Sequence, residues 1–159
     1  MMRKTLFLLV LVAWMGCKQT PSPIPLPPPG MAFYEKQCAS CHQSDGEGVL
    51  RTFPPLKNNV TVEGPHGRLI RLALHGLEGE LVSENEVYRG ACPPWGHLSD
   101  EDIADILTFI RSRWGNNAPP VPADDIKMIR LFYRDRTTPW TPEELKKPEN
   151  TSVPGVAGW

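Results

Sequence analysis

Residues 38–42 read Cys38-Ala39-Ser40-Cys41-His42, and no other stretch restricts the chain as tightly. A Cys-x-x-Cys-His run is the signature of c-type haem attachment. On one helical turn the two cysteines lie on the same side, where they can form thioethers to the two vinyl groups of a haem. The histidine that follows is carried under the iron as proximal ligand. Two other chemistries use such cysteine pairs. A thioredoxin-like redox pair needs a βαβ context, and a zinc site needs completion by Cys92 or another histidine. The chain shows neither an alternating strand pattern nor a second Cys-x-x-Cys, so haem is the reading adopted.

Haem of this type is attached outside the cytoplasm in bacteria, and the N-terminus agrees. Arg3 and Lys4 precede an apolar run from Leu6 to Met15, followed by Gly16 and Cys17. This is the pattern of a secretory signal peptide over residues 1–16. A run ending in Gly-Cys resembles a bacterial lipoprotein signal, in which Cys17 is lipidated and becomes the first mature residue; ordinary cleavage and an uncleaved anchor are the alternatives. With Cys38 and Cys41 engaged and Cys17 lipidated, Cys92 is the remaining cysteine, so no disulfide framework is expected. Residues 17–29 form a linker: six of the nine residues 21–29 are proline, which enforces polyproline-type extension. At about 3.1 Å per residue, residues 17–30 reach roughly 40 Å from a membrane surface.

Charge removes one class of partner. Against 18 Asp and Glu stand 17 Lys and Arg among 159 residues, so the clustered basic footprint of a nucleic-acid binder is missing. No run of about 20 apolar residues is present to make a finished transmembrane helix.

The flanks of the motif read as helices. Gly30, Phe33 and Tyr34 sit on a short segment leading into Cys38. Downstream, Ser99-Asp100-Glu101-Asp102 combines a serine cap with acids that complement the helix dipole. Ile103, Ile106, Leu107, Ile110 and Trp114 follow at helical spacing, and Gly115-Asn116 ends the run. Residues 69–74 read as a short helix closed by His75 and Gly76.

Taken in order, these features resemble a class I cytochrome c over residues 30–117. Gly30 and Tyr34 stand eight and four residues before Cys38, where the family has a helix-contact glycine and an aromatic. Gly46, Gly48, Pro54-Pro55-Leu56, Tyr88-Arg89-Gly90 and a final helix with Phe109 follow. The resemblance implies an all-α fold with crossing N- and C-terminal helices around one covalent haem c, and a hydrogen bond from His42 to the Pro54 carbonyl. Such a bond fixes the ring and tunes its basicity.

The departure is at the iron. Where the family places a distal methionine, this chain reads Gly90-Ala91-Cys92-Pro93-Pro94-Trp95. Cys92 is the favoured distal ligand, and its thiolate would stabilise ferric iron and lower the potential. The alternatives are His97, His75, His66, Met128, an open iron, or Cys92 as an inert buried thiol. Tyr88 and Trp95 carry donors suited to the haem propionates, and Arg71 could balance their charge. Leu56, Leu69, Leu72, Leu98 and Leu107 are expected to wall the cofactor. A domain this small has limited apolar area, so the apoprotein should be poorly folded.

Beyond Asn117, residues 118–147 read as a helical extension. Asp124 and Asp125 open one segment, Thr141-Pro142-Glu143-Glu144 is a capping box, and Trp140 pins the extension to the domain. Residues 148–159 are expected to be disordered. The function implied is a secreted, lipid-anchored, periplasmic single-electron carrier between a redox partner protein, a dehydrogenase or oxidase, and an acceptor. The alternatives are a haem enzyme or a gas- or sulfur-compound-binding protein with a labile or open distal site, and an electron-transfer subunit docked through residues 118–147.

Overall fold

The computed structural model describes residues 26–83 and 85–155. The segment expected to be a signal peptide, Cys17 and the expected linker through residue 25 lie outside the described residues. Leu26 and the prolines after it are exposed and carry no regular element.

Helix α1 (Met31–Gln37) begins at Gly30, whose φ of 82° is left-handed. That glycine is required twice over, because a Cβ there would stand 2.1 Å from the Asp105 carbonyl oxygen. This contact lets α1 pack on α5 (Asp100–Arg111). Tyr34 is buried at the same junction, with ring centroids 5.4 Å from Phe109 and 5.0 Å from Trp114. Its hydroxyl donates to the Gln43 carbonyl at 2.6 Å. Helix α5 starts where its cap predicts: the Ser99 hydroxyl accepts from the Asp102 N–H at 3.0 Å, and Asp100, Glu101 and Asp102 fill the first turn.

Between these helices lie α2 (Ala39–His42), α3 (Val60–Glu63) and α4 (Gly67–His75). Helix α4 turns Leu69, Ile70, Ala73 and Leu74 into the core and ends at Gly76. A small antiparallel hairpin follows, β1 (Leu81–Ser83) with β2 (Glu86–Tyr88), in which Leu81 faces Tyr88. Three residues per strand leave too short a period to read, and the all-α expectation did not include this hairpin.

Helix α6 (Ala123–Phe132) packs on both α4 and α5, and its Ile126 and Ile129 are completely buried in the shared core. Helix α7 (Pro142–Lys146) carries the expected capping box between Thr141 and Glu144. The disorder expected from residue 148 is corrected as far as residue 155. A 3₁₀ turn spans Pro148–Asn150, Asn150 is buried, and Val153 joins the core with α5 and α6.

Arg71 explains the ordered tail. Its side chain is completely buried and donates to the carbonyls of Gly67 (2.9 Å), Ser152 (2.8 Å) and Glu149 (3.3 Å). Its guanidinium also lies 5.0 Å from the Tyr133 ring centroid. A buried cation needs such partners. Arg71 is therefore committed to holding the tail, and the propionate role considered for it is corrected.

Candidate haem site

Helix α1 ends at Cys38, and α2 continues as a single turn in which His42 donates its N–H to the Cys38 carbonyl at 2.9 Å. Gln43 then leaves the helix with a φ of 61°. Cys38 and Cys41 therefore stand on one turn with His42 directly after them.

The imidazole is oriented by the loop that follows. His42 Nδ1 lies 3.0 Å from the Pro54 carbonyl. A carbonyl only accepts, so Nδ1 carries the hydrogen and Nε2 keeps its lone pair. Burial lowers the pKa of His42, opposed by that hydrogen bond. The outcome is a neutral imidazole, the form that ligates a metal. Gly48 makes the loop geometry feasible: its φ is +69°, and a Cβ there would meet the Phe53 carbonyl oxygen at 2.4 Å. Backbone pairing of Val49 with Phe53 closes the same loop.

Cys92 is brought to the cysteine pair from the opposite side of the sequence. Its N–H and C=O both pair with Leu77, each at 2.9 Å. The Cys38 thiol is pushed up to about 12, by burial first and then by Cys92 and Cys41. The Cys92 thiol is pushed up to about 11, by burial first and then by Cys41. Three half-buried thiols thus share one region, where burial and their mutual repulsion disfavour the thiolate form. Such a donor set fits a haem: two thiols consumed as neutral thioethers, an imidazole with Nε2 free, and a third thiol that a metal would deprotonate on binding.

The other candidates are distributed as follows. Tyr88 is buried at the end of β2 and lines a cleft with Glu47, Leu50, Pro55, Lys57 and Asn58. Leu56 packs against the main core, and its N–H bonds the Gly46 carbonyl at 2.8 Å. Trp95 is half-buried, anchored through its main-chain N–H to the Ala73 carbonyl at 2.8 Å, with its ring tilted against that of His97. Leu69, Leu98 and Leu107 belong to the main core, whereas Leu72 packs with Leu77, Trp140 and Leu145 in a second cluster.

Two of the alternative distal ligands are engaged elsewhere, and two are exposed. His66 Nε2 pairs with Asp125 at 2.7 Å. His75 Nε2 meets the Tyr133 carbonyl at 3.2 Å, and burial lowers its pKa. Met128 is exposed on α6. His97 is exposed beside Trp95.

Two further residues complete the site: Leu77, which the sequence did not single out, and Asn116, which it read only as part of a helix stop. Leu77 supplies the backbone strand for Cys92. Asn116 binds the Leu56 carbonyl at 2.7 Å and the Asn59 N–H at 2.9 Å, tying the loop after Pro54 to the end of α5. Neither role has a local signal, since backbone pairing is independent of side-chain identity and the asparagine reaches residues more than fifty positions away.

Comparison with known proteins agrees with this geometry. The family profile described as Cytochrome c matches residues 29–114. The chain is 36% identical over 115 residues to cytochrome c-552 of Thermus thermophilus, covering 70% of this chain and 77% of that protein. It is 43% identical over 108 residues to the cytochrome c subunit of a quinone alcohol dehydrogenase from Gluconacetobacter polyoxogenes, and 36% identical over 106 residues to a fructose dehydrogenase cytochrome subunit from Gluconobacter japonicus. Each of these matches covers 64% of this chain and 22% of the relative. With an attachment turn, an oriented imidazole and a matching profile over more than half its length, the chain belongs to the cytochrome c family, as a class I monohaem protein that transfers electrons through covalently bound haem c.

Proposed function

We propose that this cytochrome is a low-potential single-electron carrier whose iron is held between His42 and Cys92, exported from the cytoplasm and tethered to a membrane through lipidated Cys17. What supports the ligand reading is the place of Cys92: both of its main-chain groups are tied to Leu77, and its half-buried thiol is near enough for its charge to be felt at Cys38. His66 and His75, by contrast, have protein partners of their own.

The haem, once bound, supplies one Fe(III)/Fe(II) couple. Cys38 and Cys41 would hold it through thioethers, and His42 Nε2 and the Cys92 sulfur would supply the two protein donors to its iron. The Pro54 carbonyl keeps the imidazole neutral and aimed. An anionic sulfur donor stabilises the ferric state relative to the thioether of a methionine. Two strong axial donors leave no coordination position for a substrate, which favours a carrier over a haem enzyme. Tyr88 and Trp95 are proposed to meet the propionates, and Leu56 to wall the ring.

The dehydrogenase subunits among its relatives support a periplasmic dehydrogenase as electron donor, with this chain as the mobile or tethered acceptor. Ferric-state electron paramagnetic resonance with redox titration tests the ligand pair. The wild type is expected to give a thiolate-type low-spin signal, and Cys92→Met a methionine-type signal at a higher potential. An unchanged signal in Cys92→Ala would overturn the ligand pair, and rapid tight carbon monoxide binding by the reduced wild type would count against a pure carrier role.

A further inference from the structure

The loop that carries Cys92 is short of structure of its own. Residues 89–98 contain no helix or strand, and Pro93 and Pro94 remove two backbone donors. The Gly90 N–H bonds the Thr52 carbonyl at 2.8 Å ahead of the ligand, and from Cys92 onward three outside attachments hold the loop. The first is the double backbone pairing of Cys92 with Leu77. Leu77 is in turn flanked on its other side by Trp140, where the Glu78 N–H bonds the Trp140 carbonyl at 2.9 Å and the Trp140 N–H bonds the Gly76 carbonyl at 3.0 Å. Cys92, Leu77 and Trp140 thus form three rungs of a small ribbon. The second attachment joins the Trp95 N–H to the Ala73 carbonyl at 2.8 Å.

The third is Arg130. From α6 it donates to the Gly96 carbonyl, to the Leu98 carbonyl at 2.9 Å and to the Asp100 carboxylate at 2.8 Å. One planar guanidinium therefore gathers the last residues of the distal loop and the first residue of α5. Helix α6 is a rigid base for it, because Ile126 and Ile129 on that helix are completely buried against α4 and α5. Arg130 and Trp140 both lie beyond the residues matched by the family profile, which ends at 114.

We propose that the C-terminal extension is a brace for the distal ligand, with Arg130 as the positioning residue that keeps Cys92 in place for the iron. The inference rests on the reading of Cys92 as distal ligand. Its physical basis is that a ligand on an unstructured loop spends part of its time away. A competing small ligand then binds with an affinity scaled by that open fraction. Bracing the loop from a packed helix reduces the open fraction.

Imidazole titration of the ferric holoprotein reads that fraction directly. Arg130→Met is expected to tighten apparent imidazole binding by about tenfold or more, with Arg130→Lys between it and wild type. In a Cys92→Ala background, where nothing has to be displaced, Arg130→Met is expected to add no further change. Val153→Ala loosens the tail that packs on the same core as the extension, at a position away from the distal loop. It should lower the melting temperature and leave imidazole affinity as in wild type.

Unchanged affinity in Arg130→Met, with tighter binding in Cys92→Ala, would overturn the brace and leave the ligand reading standing. An equal gain in Val153→Ala would also overturn it, because general loosening would then account for the effect. Unchanged affinity in Cys92→Ala would overturn the ligand reading and the brace with it.

Discussion

Gly30 shows how a single position can be read from sequence and then explained by packing. Its left-handed backbone and its contact with the Asp105 carbonyl both exclude a side chain. Gly30→Ala is expected to destabilise the holoprotein by about 2–4 kcal/mol, measured by denaturant unfolding, because the obstacle is backbone and cannot rotate away. Gly30, Tyr34 and Phe109 were legible through the resemblance to the family's pattern, and the cysteine–histidine motif through its own local spacing. Arg71 was not legible. Its partners at Glu149 and Ser152 are 78 and 81 positions away, and a buried arginine whose terminal nitrogens are held by carbonyls leaves no complementary acid to notice. Arg130 escaped for the same reason, since two of its three acceptors are main-chain oxygens.

At the scale of elements, helix caps were the most legible features and the short strands the least. Ser99 accepts from the first turn of α5, and Ser99→Ala should cost about 1 kcal/mol in unfolding free energy. The capping box of α7 gives a pH-dependent counterpart. The Arg136 hydrogen bond, followed by that of the Thr141 N–H, holds the Glu144 carboxyl below its ordinary range. A carboxylate with a depressed folded-state pKa contributes stability above its unfolded value and loses it as pH falls through the folded value. Amide exchange at the start of α7 should therefore accelerate below the ordinary glutamate range, and Glu144→Gln should flatten that dependence. The ribbon joining Leu77, Cys92 and Trp140 had no sequence signature, because its rungs are main-chain pairs drawn from three distant segments.

Across the whole molecule, the extension and the tail are part of one core rather than an appendage. Val121, Ile126, Ile129 and Val153 are buried with residues of α4 and α5, and each such side chain is worth about 1.5–3 kcal/mol of burial. A chain ending at residue 117 should therefore lose cooperative unfolding, followed by circular dichroism, rather than only an affinity for a partner. The sequence could mark residues 118–147 as helical, but which face they cover depends on α4 and α5 already being in place. The account as a whole depends on the porphyrin being bonded to Cys38 and Cys41. Intact-mass analysis of protein made in a host with working cytochrome maturation tests it most directly. The account predicts a mass increased by one haem that acidified organic solvent does not remove, whereas a colourless chain, or a haem that extracts freely, would contradict it.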